Sequence, residues 1–210
     1  MFTDRLDAGL QLSLVLKKYQ KVNGIVLAIP RGGVPVGYVV AKELGLPLEI
    51  VLSKKIGHPL NSEFAIGSVS MHGVILNNDV KDVPQEYIKK EVIRIQKDLE
   101  ERYKLFMGDE KPTDLKDKIV IIVDDGIATG STMLATIQSV RRSSPAKIIV
   151  AIPVASKDSL KRIQKITDEV FCILEPNIFY GVGQFYYDFN QVGNDQVLRY
   201  LEVFQKEKNE

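Results

Sequence analysis

An apolar run that ends in two acids constrains the fold of this 210-residue chain more than any other feature. Residues 119–123 read Ile-Val-Ile-Ile-Val, a β-branched composition typical of a strand buried on both faces of a parallel sheet. Asp124 and Asp125 follow directly, and a loop of small residues then leads into a helix predicted to begin near Thr132. This order of strand, loop and helix predicts one βα unit of an α/β fold.

The loop after the acids has the chemistry of an anion-binding site. Residues 128–132 place backbone N–H groups at the start of a helix, and their hydroxyl groups add further donors. Gly126 and Gly130 allow the backbone to approach an anion closely. Asp124 and Asp125 would repel a phosphate, so they suit hydroxyl groups or a metal ion carried by the same ligand. Ribose 5-phosphate, which combines vicinal hydroxyls with a phosphate, meets both demands.

Residues 119–132 resemble the phosphoribosyl pyrophosphate (PRPP) signature of type I phosphoribosyltransferases in order, spacing and predicted context. The resemblance implies that Asp124 and Asp125 hold the ribose 3′- and 2′-hydroxyls and that the loop binds the 5-phosphate. The loop residues assigned to PRPP in this way are Gly126, Ala128, Thr129, Gly130, Ser131 and Thr132. The resemblance also implies a single domain over residues 1–210: an open, mostly parallel twisted sheet with helices on both faces, a β-hairpin flexible-loop region and a small C-terminal hood.

Two other interpretations of the acidic stretch are open. An Asp-Asp pair after an apolar strand also occurs in response-regulator receiver domains, where the acids bind magnesium. There the pair normally closes the first strand, whereas here more than 100 residues precede it. A Walker-type nucleotide loop is the second alternative, but the pattern Gly-x-x-x-x-Gly-Lys-Ser/Thr is absent from the chain.

A second loop, Pro30-Arg31-Gly32-Gly33, follows another predicted apolar strand at 25–29. Ligands of open α/β sheets bind at the carboxyl ends of the strands, so this loop and the acids should face one crevice. The guanidinium of Arg31 and the amides exposed by Gly32 and Gly33 suit pyrophosphate oxygens. The loop resembles the pyrophosphate loop of phosphoribosyltransferases, which implies a cis peptide, by position Arg31–Gly32. An ordinary Gly-Gly turn with a surface arginine is the alternative.

Residues 54–63 combine charged residues with Gly, His, Pro and Asn, and this composition predicts an exposed loop. Phosphoribosyltransferases cover the reacting centre with a mobile loop in this region, which implies that Lys54 or Lys55 neutralises departing pyrophosphate; two surface lysines are the alternative. Glu63 is a candidate base. Many family members that act on 6-oxopurines have an acid where Ala128 stands, so the alanine argues against hypoxanthine or guanine as acceptor.

The segment 175–192 is predicted to be the hood, and six aromatic residues fall within 179–189. The hood of phosphoribosyltransferases often stacks the acceptor base on an aromatic ring, which makes Tyr180, Phe185 and Tyr186 candidates. Packing of this tail onto the sheet or onto a dimer partner is the alternative.

The N-terminal segment 2–10 and the tail together resemble the "predicted phosphoribosyltransferase" subgroup of bacteria and archaea. Within that segment Arg5 is expected to form a salt bridge on the surface of a helix rather than to reach the site. The other patterns predict a helix from a Thr3 cap to about Tyr19, a hairpin over 64–76, a long helix over 84–106, and alternating strands and helices from residue 119 onward.

Composition excludes some classes of protein. A net charge of +1 argues against a nucleic-acid binder, which usually carries a basic excess. The single cysteine, Cys172, lies in a predicted core strand, so we expect a buried thiol and a reducing compartment. No apolar run approaches the length of a membrane span, so we expect a soluble, cytoplasmic protein without membrane partners.

The predicted function is transfer of the 5-phosphoribosyl group of PRPP to a nitrogen acceptor, a nucleobase or related small molecule, with release of pyrophosphate. The resemblance adds a homodimer and Mg²⁺ carried by PRPP near the two acids, without a metal cage of protein ligands. The candidate catalytic residues are Asp124, Asp125, Arg31, Lys55 and Glu63. A PRPP-sensing regulator on the same fold is the alternative, and an enzyme that transfers pyrophosphate or cleaves PRPP without an acceptor is a third.

Overall fold

A computed structural model of the chain describes residues 1–71, 73–77, 80 and 82–209, except for the side chains of residues 63, 208 and 209. The strands found there are β1 (Gly24–Ala28), β2 (Leu48–Ile50), β3 (Ser53–His58), β4 (Asn61–Ser70), β5 (Gly73–Leu76), β6 (Ile119–Val123), β7 (Lys147–Val154) and β8 (Glu169–Leu174). The α-helices are α1 (Arg5–Val15), α2 (Gly33–Leu44), α3 (Gln85–Met107), α4 (Ser131–Arg141), α5 (Lys157–Gln164) and α6 (Asn194–Asn209).

The central sheet has five parallel strands in the order β2-β1-β6-β7-β8. Successive side chains of a strand point to opposite faces. In β6, Val120 and Ile122 therefore pack in one core with α4 and α5, whereas Ile121 and Val123 pack in the other with α1 and α2. Both faces being covered explains why this strand reads as an unbroken apolar run. The predicted open parallel sheet with helices on both faces is confirmed.

A second, antiparallel sheet has the order β3-β4-β5. Residues 54–63, predicted to be an exposed loop, belong instead to the hairpin of β3 and β4. Ile56 and Ile66 are 0% and 1% exposed and join the main core, which holds the hairpin on the domain. The loop prediction was wrong because Gly57 lies at an irregularity in the β3–β4 register, where turn-forming residues are tolerated inside a strand pair. The predicted hairpin over 64–76 is confirmed as β4 and β5.

The topology brings two loops to one edge of the central sheet. Ala28 at the end of β1 is the register partner of Val123 at the end of β6, so the segments that follow them lie side by side. The N-terminal helix α1 is capped by Asp4, which accepts from the N–H groups of Leu6 and Asp7, and not by Thr3 as predicted. No helix in the described part of the chain is long and apolar enough to cross a membrane.

Candidate active site

The Pro30–Gly33 loop packs directly against the two acids at the end of β6. A Cβ atom on Gly32 would lie 2.0 Å from Oδ2 of Asp125, and one on Gly33 would lie 2.8 Å from the carbonyl oxygen of Val123. Both glycines are therefore required by this contact. The sequence indicated only that they expose backbone amides. The cis peptide is Pro30–Arg31, one bond earlier than the predicted Arg31–Gly32.

In Asp124 and Asp125, hereafter the acid pair, one oxygen of each carboxylate accepts a hydrogen bond from another group of the protein. Oδ1 of Asp124 accepts from the backbone N–H of Asp125 at 2.9 Å, and Oδ2 of Asp125 accepts from Nε of Arg5 at 2.8 Å. Apart from the hydrogen bond that the two carboxyl groups share with each other, no donor in the described part of the chain reaches the second oxygen of either carboxylate. No described side chain has a buried polar atom without a partner, so these second oxygens are accessible from the cleft. The pair thus offers two open acceptors side by side.

Burial and mutual repulsion set the protonation of the acid pair. Burial raises the pKa of Asp124 well above its usual value, and the neighbouring carboxylate of Asp125 raises it further. Burial also raises the pKa of Asp125, but the guanidinium of Arg5 acts in the opposite direction. A shared proton therefore belongs preferentially to Asp124, and a hydroxyl ligand or cation that favours the charged form would displace it.

The phosphate loop, residues 126–132, lines a cavity of about 180 Å³ together with Asp124 and Val182. The carbonyl of Ala128 accepts from the hydroxyls of Ser156 and Ser159 at 2.7 and 2.6 Å, and Arg162 donates to the carbonyl of Thr129. A trans peptide points its C=O and N–H in opposite directions, so these bonds to the α5 side turn the following N–H groups away from α5.

None of the N–H groups of residues 128–132 donates to an acceptor in the described part of the chain. Gly130 has φ +74°, a left-handed conformation that glycine adopts without strain, at the residue before α4. The result is a set of free amides at a helix N-terminus, the arrangement that binds phosphate.

The lysines of β3 lie beside the phosphate loop rather than beside the Pro30–Gly33 loop. Lys54 and Lys55 line a cavity of about 290 Å³ together with Thr129, Ser131 and Thr132. Nζ of Lys54 lies 3.3 Å from Oδ2 of Asp98 on α3. Lys55 therefore borders the phosphate loop, and its predicted contact with departing pyrophosphate stays a prediction. Glu63, the candidate base, has a side chain outside the described part of the structure.

Two arginines near the Pro30–Gly33 loop have no carboxylate within ion-pair distance among the residues described. Arg31 lines a cleft of about 470 Å³, and its role as a ligand-binding cation stays a prediction. Arg102 of α3 was missed, because its helix reads as an ordinary solvated charged face. Arg102 is exposed overall, but partial burial lowers its pKa, and the like charge of Arg31 lowers it further. The two positive charges repel each other, and a bound polyanion would attract both.

Arg5 reaches the site, and the expectation of a helix-surface salt bridge was wrong. Its side chain is only 11% exposed, and it pairs with Asp125, whose side chain is 14% exposed. The pairing depends on the path of the N-terminus: the N–H of Phe2 donates to the carbonyl of Phe185, and the N–H of Tyr187 donates to the carbonyl of Phe2. The N-terminal segment is thereby paired with the hood and places Arg5 over the acid pair.

The aromatic residues that were predicted to contact an acceptor, all in the hood (residues 175–192), do not line the cleft. Tyr186 is 5% exposed, its ring packs against Phe2 and Phe189, and its hydroxyl donates to the carbonyl of Asp125 at 2.6 Å. It therefore packs the hood and offers no free ring face to an acceptor, which corrects the prediction for this residue. Tyr180 is 90% exposed, and Phe185 packs on Phe179.

The 470 Å³ cleft lies between the Pro30–Gly33 loop, Asp125 and the hood. It is lined by Arg5, Arg31, Gly32, Asp125, Val182, Phe189, Gln191 and Val192. Phe189 has the same chemistry as the predicted rings, but sequence alone does not tell which of six neighbouring aromatics faces inward.

Cys172 and metal-binding clusters add nothing to the site. The Cys172 thiol is half-buried, and burial raises its pKa to about 11, which makes it a poor nucleophile. Within the described residues, no three acidic, histidine or cysteine side chains are grouped so that they could hold a metal ion.

Comparison with known proteins gives a consistent picture. A family model described as "Phosphoribosyl transferase domain" matches residues 10–190. Proteins named "Putative phosphoribosyl transferase" from two strains of Mycobacterium tuberculosis are 36% identical in sequence to this chain, and the alignment covers 96% of it. The match covers 46% of their length, so the chain spans about half the length of the curated relatives it matches.

Solved structures resemble the chain over nearly its full length. The protein TT1426 from Thermus thermophilus is 35% identical, with a TM-score of 0.87 and coverage of 97% of this chain and 98% of that one. A purine phosphoribosyltransferase from Pyrococcus horikoshii is 18% identical, with a TM-score of 0.50 and coverage of 90% and 93%. At that identity the second likeness concerns the fold alone.

Proposed function

Because the chain belongs to the phosphoribosyl transferase family, we propose that it transfers the 5-phosphoribosyl group of PRPP to a nitrogen acceptor and releases pyrophosphate. The observation that carries the proposal is the acid pair, with one open oxygen on each carboxylate, beside a loop of free backbone amides. Two open acceptors match two adjacent ribose hydroxyls, and the amides match the 5-phosphate. The ligand that satisfies both is a 5-phosphoribosyl group.

The Pro30–Gly33 loop completes the donor site in this proposal. Arg31, with Arg102 nearby, supplies the cationic charge that pyrophosphate requires on the other side of the acid pair. The amides of Gly32 and Gly33 add donors on a loop that is already fixed by its contact with Asp125 and Asp124. Lys55, with Lys54, lies next to the hydroxyls of the phosphate loop, and its charge serves the bound phosphate.

The chemistry follows from this placement of charge. As the bond between C1 of the ribose and pyrophosphate lengthens, positive charge develops on the ribose ring. Asp124 and Asp125 orient the hydroxyls and stabilise that charge, while Arg31 stabilises the negative charge on the leaving group. Mg²⁺, which the open carboxylate oxygens and the oxygens of PRPP fit as hard ligands, would neutralise part of the pyrophosphate charge when bound. The hood and the N-terminal segment cover one side of this centre.

The acceptor occupies the cleft between the acid pair and the hood. Phe189 and Val182 provide apolar surface, and Gln191 provides a hydrogen-bonding group. Ala128 supplies no carboxylate that could take a proton from the acceptor. This favours an acceptor that loses its proton easily or is already ionised over hypoxanthine or guanine.

The proposal is tested by pyrophosphate release from Mg·PRPP with purified protein, across purine, pyrimidine and small-amine acceptors. We expect release with at least one acceptor, and a loss of about 100-fold or more in a variant with Asp124→Asn and Asp125→Asn, because two charge-assisted hydrogen bonds are lost. Asp109→Asn, which changes an exposed carboxylate whose side chain is 89% accessible, is the matched control and should leave release unchanged. Binding of PRPP without release for any acceptor would favour a PRPP sensor, and absence of PRPP binding would reject the proposal.

A further inference from the structure

We infer that Arg5 is a positioning residue for the donor site: it fixes the carboxylate of Asp125 so that one oxygen stays open to the ribose, and it ties that orientation to the hood. The inference rests on the proposed function, because it assigns a role within the same PRPP site. It goes further, since Arg5 lies 120 positions from Asp125 and outside the PRPP signature.

Three contacts fix the Arg5 guanidinium in one place. Nε donates to Oδ2 of Asp125 at 2.8 Å, and Nη1 donates to the carbonyl oxygen of Asn190 at 2.8 Å. The guanidinium carbon lies 3.9 Å from the centre of the Phe189 ring, a cation–π distance. One contact is to the acid pair and two are to the hood, so the side chain bridges them.

The contact to Asp125 determines which oxygen remains free. With Oδ2 held by Arg5, rotation of the carboxylate is restricted and Oδ1 stays available. In the described part of the chain, Arg5 is the one cation within ion-pair distance of either member of the acid pair. Without it, Asp125 would lose the positive charge that favours its ionised form, and its carboxyl group would be free to rotate.

The other contacts connect this orientation to the acceptor side. Phe189 and Gln191 line the cleft, and Asn190 between them accepts the second Arg5 bond. A Cβ on Gly183 would lie 2.9 Å from the Phe189 ring, so that ring has little room to leave its place against Arg5. A displacement of the hood therefore moves Arg5, and a displacement of Arg5 releases Asp125.

The test is a double-mutant cycle in which the probe is Mg·PRPP and the readout is its dissociation constant by calorimetry. We expect Arg5→Met to weaken binding about tenfold and Asp125→Asn to weaken it at least as much. Because Arg5 acts through Asp125, Arg5→Met should have almost no further effect in the Asp125→Asn background. Arg5→Lys should recover part of the affinity, since it restores the charge but neither the fork nor the ring stacking. Arg141→Met, which removes an exposed ion pair to Asp168, is the control for loss of an arginine elsewhere.

Several results would overturn the inference. Additive losses in the cycle would show that Arg5 does not act through Asp125, and tighter binding by Arg5→Met would show that Arg5 competes with the ribose. If Arg5→Met does not fold, the affinity of Arg5→Lys for Mg·PRPP is compared with that of the native protein. Native affinity in Arg5→Lys, which lacks the guanidinium group, would reject a positioning role for Arg5. Failure of the unmodified protein to bind Mg·PRPP would reject the proposed function itself and the inference with it.

Discussion

Two groups of poorly exposed carboxylates in this chain differ in how completely their oxygens are used. Glu49 of β2 is 6% exposed, and both its oxygens accept: Oε1 from the hydroxyl of Tyr103 at 2.8 Å, and Oε2 from the N–H of Thr113 at 3.1 Å. Asp124 and Asp125 each leave one oxygen open to the cleft. A buried charge is tolerated when it is fully hydrogen-bonded, and leaving it unpaired costs stability.

The comparison separates structure from function. Glu49 joins β2 to α3 and to the segment that follows α3, and nothing about it calls for a ligand. The acid pair is oriented by Arg5 and by one backbone amide, and under the proposed function its remaining oxygens would bind the ribose. Substitutions on the two sides of this contrast should therefore have different effects.

The largest loss of Mg·PRPP affinity or turnover is expected at the contact between Gly32 and the carboxylate of Asp125. Gly32→Ala would place a Cβ 2.0 Å from Oδ2 of Asp125, so the Pro30–Gly33 loop or the carboxylate must move. A displacement of about 1 Å at a reacting centre can cost about 100-fold in rate, and we expect a loss of about 10- to 100-fold in Mg·PRPP affinity or turnover. Gly193→Ala is the control, because a Cβ there meets nothing within 4 Å. Equal behaviour of the two variants would mean that the contact does not fix Asp125.

This contact also marks the limit of what the sequence predicts. The strand, acids, loop and helix of residues 119–132 are contiguous, so their periodicity and chemistry were readable without the fold. Arg5 and Phe189 take their places only because Phe2 pairs with the hood, and no local pattern encodes a pairing across more than 180 residues. The β3–β4 hairpin was missed for a similar reason: its stability comes from Ile56 and Ile66 packing into a distant core, which overrides a loop-like composition.

A smaller effect, on stability alone, is expected when the fully hydrogen-bonded Glu49 is substituted. Glu49→Gln replaces one acceptor with an NH₂ group that faces an existing donor, and this should lower the free energy of unfolding by about 1–3 kcal/mol. Affinity for Mg·PRPP should stay within about twofold, because Glu49 does not line the cleft. Urea denaturation and calorimetry measure the two quantities, and Glu43→Gln on the exposed face of α2 is the control. Loss of PRPP affinity at unchanged stability would mean that Glu49, like the acid pair, serves the ligand site.

The smallest expected effect is a gain in stability on substitution of Asp124, opposite in sign to the loss expected for Glu49→Gln. Because burial and Asp125 raise the pKa of Asp124 in the folded protein, the folded state binds more protons than the unfolded state as pH rises above about 3.8. Ionisation of Asp124 therefore costs stability at neutral pH, and Asp124→Asn should raise the melting temperature of the ligand-free protein at about pH 7.5. At about pH 4, where native Asp124 is protonated, the two proteins should melt within about 1 °C of each other, since little charge is then removed.

A lower melting temperature for Asp124→Asn near neutral pH would mean that its charge is already compensated within the protein, as that of Glu49 is by Tyr103 and Thr113. Mg·PRPP supplies an informative reference, because its binding should stabilise the native protein by mass action and fail to stabilise the variant. The order of stability would then invert with ligand: the variant would be more stable alone, and the native protein more stable with PRPP. Such an inversion is expected of an unsatisfied acid pair kept for a substrate and not of a carboxylate kept for the fold.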